Sequence, residues 1–257
     1  MREGKEPFAG ALVSDWNECL APCGPFDCIG FVHPGLKPEL AQIFREYTGN
    51  RISLTEASQR VRSLLPAGFT PDQMDRYLER EFTAYPGVPE LIRWCRDNRI
   101  LFMINTTGMT GYFQRVFSAA LLPRVDVLAA NPAIEFSGSN TDPVLLYRIL
   151  EIEDKPVCTE HALRRHGIPS SRAIIVGDSG GDGPHFAWGA RSSAFLVASM
   201  IKPSLRRYCQ EKDIRIDLCF GHSYSEGESK DREGEQRFDF RDLIPAIARR
   251  LDLEKGS

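Results

Sequence analysis

The chain has 257 residues, with 35 acidic and 32 basic side chains for a net charge of −3, and is 42% apolar and 26% charged. This composition excludes a disordered or fibrous chain, and the length lets one large domain, or a core plus an insert, bury its interior without disulfides. The charge balance gives no global attraction to nucleic acid or to an anionic membrane, and no apolar run approaches the ~20 residues needed to span a bilayer. Seven scattered cysteines, mostly within or beside apolar segments, suit buried thiols in a reducing compartment. With no secretory pattern over Met1–Pro7, the expected location is cytoplasmic.

In chain order, Phe8–Ser14 (FAGALVS) is a continuous apolar run that predicts the first strand. Residues 21–85 show no strand run but several helix signals. Leu40, Ile43, Phe44 and Tyr47 recur with helical period over Lys37–Tyr47. Ser53 and Glu56 form a capping-box pattern before a helix ending at Leu64–Leu65, and Thr70-Pro71 opens another running towards Phe82. Strands are then expected at Ile100–Ile104, Val125–Ala130, Ala173–Val176 and Ala194–Ala198, with a weaker one at Ile216–Phe220. Between them the pattern predicts helices at Val88–Asn98, Gly111–Leu121, Asp142–Ile152, Thr159–His166 and Asp182–Gly189. His222–Arg237 is polar and aperiodic and reads as an exposed loop. Continuous rather than alternating hydrophobicity indicates a parallel sheet covered on both faces. The expected fold is therefore α/β, a three-layer Rossmann-like parallel sheet built from residues 1–20 and 86–257. A small helical insert, residues 21–85, follows strand one and sits over its carboxyl end, where open α/β sheets bind ligands.

Acids cluster where such ligands bind. Asp15 follows the first strand, and Asp178 and Asp182 lie on a glycine-rich loop (GDSGGDG) after the Ala173–Val176 strand. Three hard oxygen donors converging from two buried strands suit Mg²⁺, with waters and a substrate phosphate completing its octahedron. Cys19, Cys23 and Cys28 with His33 match no compact zinc spacing and read as buried thiols. His185, three residues after Asp182, reads as a surface or helix-cap residue, and Trp16 and Trp188 as packing.

On these residues the chain resembles the haloacid dehalogenase superfamily, whose members are mostly phosphohydrolases. Asp15-Trp16-Asn17-Glu18-Cys19 occupies the nucleophile motif, and Gly177–Asp182 the acidic metal motif. The segment 21–85 looks like that superfamily's helical cap, and Pro86–Leu91 like the return to the core. The likeness is greatest to the phosphoserine-phosphatase-like branch, with weaker similarity to methionine-salvage enzymes that dephosphorylate a methylthiopentenyl phosphate.

The resemblance implies a phosphohydrolase of a small phosphorylated metabolite that works through an aspartyl-phosphate. Asp15 is then the nucleophile, and Asp15, Asn17 (through its backbone carbonyl), Asp178 and Asp182 form the Mg²⁺ site. Thr106, Thr107 and Lys155 bind phosphate. Asn105 is the neighbouring register for Thr106, and Arg164 and Arg165 are rivals of Lys155. No oligomeric state follows. One departure stands out, because the family's phosphohydrolases carry a second aspartate where this chain has Asn17. An amide neither gives nor takes a proton at neutral pH, and general acid–base catalysis is worth ~10²–10⁴-fold. The departure leaves several readings open. The substrate has a good leaving group such as an acyl or enol phosphate, another acid such as Glu18 or a cap residue substitutes, or the protein binds a phosphate ester or protein partner with little turnover. A dehalogenase also lacks the second aspartate, but it does without the acidic metal motif that this chain retains.

Overall fold

The computed structural model describes residues 7–49, 51–138 and 145–253. Among them, β1 (Gly10–Ser14), β2 (Ile100–Met109), β3 (Val127–Asn131), β4 (Leu145–Arg148), β5 (Ala173–Gly177), β6 (Phe195–Ser199) and β7 (Leu218–Phe220) form one parallel sheet. The order is β4-β3-β2-β1-β5-β6-β7. β1, β3 and β5 are buried along their whole length and β2 everywhere but Thr107, which is why their sequences read as apolar runs. The chain winds outward from β1 to β4 and then returns to lay β5 against β1, so the sheet reverses its winding between β1 and β5. In open α/β sheets that reversal opens a crevice at the strands' carboxyl ends.

Between β1 and β2 lie α1 (Asp27–Val32), α2 (Lys37–Thr48), α3 (Leu54–Leu64), α4 (Pro71–Glu81) and α5 (Val88–Asp97). The start signals read from the sequence are present as hydrogen bonds. Glu56 N donates to Ser53 Oγ at 3.1 Å, and Thr70 and Gln73 cap α4 reciprocally. Downstream come α6 (Thr110–Ser118), α7 (Asp154–Arg165), α8 (Gly183–Arg191), α9 (Pro203–Glu211), α10 (Arg232–Glu235) and α11 (Ile244–Arg250). Right-handed crossovers place α5 and α6 on one face of the sheet and α7, α8 and α9 on the other, and α7 packs on α8 and α8 on α9.

Two expectations need correction. The helix read over Asp142–Ile152 is not there, because Leu145–Arg148 pairs with β3 as strand β4, while Asp142–Val144 lie outside the described residues. A short apolar run such as Leu145-Leu146-Tyr147 fits either period, and an available sheet edge decides it. Helix α7 instead starts at Asp154, five residues before the expected Thr159. Nor is His222–Arg237 simply an exposed loop. Tyr224 and Glu235 are buried, and Glu235 accepts hydrogen bonds from Tyr224 Oη at 2.7 Å and Tyr85 Oη at 2.5 Å. Polar anchoring leaves no hydrophobic period to read.

Candidate active site

Asp15 is the first residue beyond β1, and its N–H donates to Val176 O of β5 at 3.0 Å, so the backbone ladder fixes it beside the winding reversal. Its Oδ1 accepts from Trp16 N at 2.5 Å, and its Oδ2 from Lys155 Nζ at 2.7 Å. The same ammonium donates to Asp182 Oδ1 at 2.6 Å. Lys155 is in the first turn of α7, with no exposed surface. Burial works against its charge, but Asp15 and Asp182 outweigh burial and the net shift of its pKa is upward. Arg164, the expected rival, pairs at the surface with Glu160.

Asp182 reaches back to the end of β5, where its Oδ2 accepts from Asp178 N at 2.9 Å and Ser179 N at 3.3 Å. That fold-back needs Gly177, because a Cβ there would lie 2.6 Å from Asp182 Cγ. Ligand oxygens of Asp15, Asp178 and Asp182 all lie within 4.8 Å of one another, the only such metal-holding group among the described residues. Both Asp178 oxygens are buried and accept no well-aligned hydrogen bond, although Lys202 Nζ stands 2.6 Å from Oδ2. Burial, opposed by Lys202, pushes the Asp178 carboxyl up to about 8, and burial also raises that of Asp15. Unsatisfied buried oxygens among like charges are what a divalent cation relieves, so the donor set fits Mg²⁺.

The last residues of β2 line the same crevice. The pairing of β2 with β3 shifts register between Asn105 and Met109, which turns successive side chains in different directions. Asn105 faces away and donates from Nδ2 to Lys155 O at 2.8 Å and Thr159 Oγ1 at 2.9 Å, tying α7 to the sheet. Thr106 donates from Oγ1 to Asn17 Oδ1 at 3.4 Å, accepts from Gly108 N at 3.1 Å and lies beside Asp15. Thr107 borders the crevice. The Asn17 amide is spent on Thr106 and, through Nδ2, on Cys23 O at 3.2 Å.

Glu18, named above as a substitute acid, is spoken for. Lys202 Nζ contacts its Oε2, and Lys230 Nζ donates to its Oε1 at 3.0 Å. Burial raises its pKa but the two ammonium groups prevail, holding the carboxyl at about 2 and therefore ionised at neutral pH. Sequence reasoning missed Lys202 and Lys230, because neither lies in a motif.

His185 is not at the surface but buried on α8, 2.9 Å from Thr159 Oγ1, and burial lowers its pKa to about 3. Cys19, Cys23 and Cys28 are buried thiols, and burial pushes Cys23 up to about 11 and Cys28 to about 12. A cavity of about 540 Å³ opens beside the crevice between α1, α2 and α4, lined by Phe26, Phe31, Phe44 and Tyr77 and bordered by Glu18, Lys37 and Arg232.

The fold is shared with solved phosphoserine phosphatases and with a HAD family hydrolase. A phosphoserine phosphatase solved as a phospho-aspartyl intermediate analogue matches over 94% of this chain and all of its own, with TM-score 0.66 and 18% identity. A HAD family hydrolase from Salmonella enterica subsp. enterica serovar Typhi matches over 94% of this chain and 72% of its own, with TM-score 0.68 and 16% identity. In sequence, the chain is similar to the 2-hydroxy-3-keto-5-methylthiopentenyl-1-phosphate phosphatase of Brevibacillus brevis, 22% identical over 162 residues, which is 59% of this chain and 68% of that protein. No protein-family model matches the chain.

Proposed function

We propose that the protein is a Mg²⁺-dependent phosphatase of a small phosphate ester, with Asp15 as the nucleophile and residues 21–85 acting as a cap over the site. The observation that carries this reading is the buried Asp15–Lys155–Asp182 arrangement, with Asp178 beside it, at the carboxyl ends of β1 and β5. The similarity to phosphatases of the same fold supports it.

Asp15 attacks phosphorus in line and forms an aspartyl-phosphate that water then cleaves. Lys155 offsets charge on the phosphoryl oxygens, while Thr106 and Thr107 orient the group through their hydroxyls. Asp178 and Asp15 would hold Mg²⁺, with the Asn17 backbone carbonyl as a further ligand. Asp182, whose oxygens already accept from Lys155 and from backbone N–H groups, positions the set. The metal supplies charge neutralisation at the transferring phosphoryl group. Attack from β1 drives the leaving group away from the sheet towards the helices of the cap, and the aromatic cavity between α1, α2 and α4 takes it up.

The test is Mg²⁺-dependent phosphate release from a panel of small phosphate esters that includes acyl and enol phosphates, with Asp15→Asn as the blank. Turnover by wild type and none by the blank is the expected result, and Asn17→Asp should raise turnover of alkyl esters by up to ~10²-fold. Silence of both wild type and Asn17→Asp on every ester would overturn the reading.

A further inference from the structure

Asn17 cannot protonate a leaving group, and Glu18 is locked between two lysines, so neither of the residues after Asp15 supplies that proton. Helix α2 brings another hydroxyl to the crevice. Tyr47 is 7% exposed, and its hydroxyl lies beside the Thr107 side chain without making a well-aligned hydrogen bond. Together with Asp15, Asn17, Phe44, Thr107, Asp178 and Gly181 it lines the crevice above the acids. The hydroxyl stands 3.7 Å from where a Cβ on Gly181 would lie, so it reaches the loop that carries Asp178 and Asp182. A phenol stripped of water and left unpaired costs stability. Buried polar groups normally find partners, and here the missing partner is a ligand's. Nearby, Thr48 Oγ1 donates to Phe44 O at 2.8 Å, and Lys202 sits between Asp178 and Glu18.

We propose that Tyr47 is a catalytic residue that donates the proton to the leaving-group oxygen, in the role left open by Asn17. This rests on the phosphatase reading above. In-line attack from Asp15 puts the leaving oxygen on the far side of phosphorus from β1, which is the side covered by α2. As the Asp15 Oδ–P bond forms, the P–O bond to the leaving group breaks. That oxygen takes the Tyr47 Oη proton and departs as a neutral alcohol, leaving a phenolate. Water then adds to phosphorus, one of its protons returns to the phenolate, and the P–O bond to Asp15 breaks, so that carboxylate and phenol are both restored. A side chain on the cap thereby couples closure to chemistry, and the substrates favoured are small esters whose leaving oxygen points at α2.

The test is kcat/KM of wild type and Tyr47→Phe, both with Mg²⁺, over alkyl phosphates, phenyl phosphate, p-nitrophenyl phosphate and acetyl phosphate. A proton donor matters most when the leaving group is a poor one. The expected loss is ~10²-fold on alkyl phosphates, carried by kcat, and at least tenfold smaller on acetyl phosphate, which needs no protonation. The melting temperature of Tyr47→Phe should not fall below that of wild type. In an Asn17→Asp background the Tyr47→Phe penalty on alkyl phosphates should shrink at least tenfold, because the carboxyl takes over. A uniform loss across the series, a loss confined to KM, or wild-type turnover limited to acetyl phosphate would overturn the proposal while leaving the phosphatase reading intact. Turnover by Asn17→Asp with none by wild type would likewise overturn the proposal alone, and silence of both on every ester would remove both readings.

Discussion

His185 sits at the base of the site with its imidazole buried against Thr159, which in turn accepts from Asn105. Burial, reinforced by Lys155, lowers its pKa to about 3, whereas the unfolded chain keeps the ordinary value of 6.5. The unfolded state therefore takes up the proton first. The contribution of His185 to stability is intact above pH 6.5 and is lost as pH falls from there towards 3, by at most about 1.4 kcal/mol per pH unit. Chemical denaturation of wild type and His185→Gln should show a gap that narrows between pH 7 and pH 5, the difference removing the other titrating groups they share. Asp15, Asp178 and Asp182 were legible in the sequence because each follows an apolar run that could only be a buried strand. Lys202, His185 and the hydroxyl of Tyr47 were not. A lysine after a strand, a histidine on a helix and a tyrosine in an apolar period all have commoner explanations, and only the fold brings them to one crevice.

Elements were read best where burial and capping agree. The strands at the centre of the sheet and the α3 and α4 starts follow directly from apolar runs and capping residues. β4 was missed because an edge strand of four residues carries too little period to separate it from a helix. The segment 222–237 was misread for a different reason, since what holds it is Glu235 between two tyrosines rather than an apolar face. Glu235→Ala would strand both buried hydroxyls and is expected to cost about 2–4 kcal/mol. Urea unfolding should show a lower midpoint at unchanged slope. A cost below about 0.5 kcal/mol would mean that Tyr85 and Tyr224 hold the segment without the carboxylate.

At the scale of the whole molecule, β1 and β5 meet at the winding reversal and deliver acids from distant parts of the chain to one point. The three clustered carboxylates share only Lys155 and Lys202 between them, and burial raises the pKa of Asp15 and Asp178. If Mg²⁺ binds there, a hundredfold excess over its dissociation constant stabilises the fold by about 2.7 kcal/mol. Thermal melting should register that gain in wild type and not in Asp178→Asn. An equal gain in both would place the ion elsewhere.

Glu18 has a positive φ of 58° and is gripped by Lys202 and Lys230, the second of them 212 positions further along the chain. This has a consequence for synthesis. Until the segment with Lys230 leaves the ribosome, a nascent chain has only Lys202 to neutralise Glu18 in the loop after β1. Translation halted after Gly221 would yield a product that keeps every acid of the motif but lacks Lys230 and Glu235. In that product the loop next to Asp15 is left with an under-neutralised carboxylate.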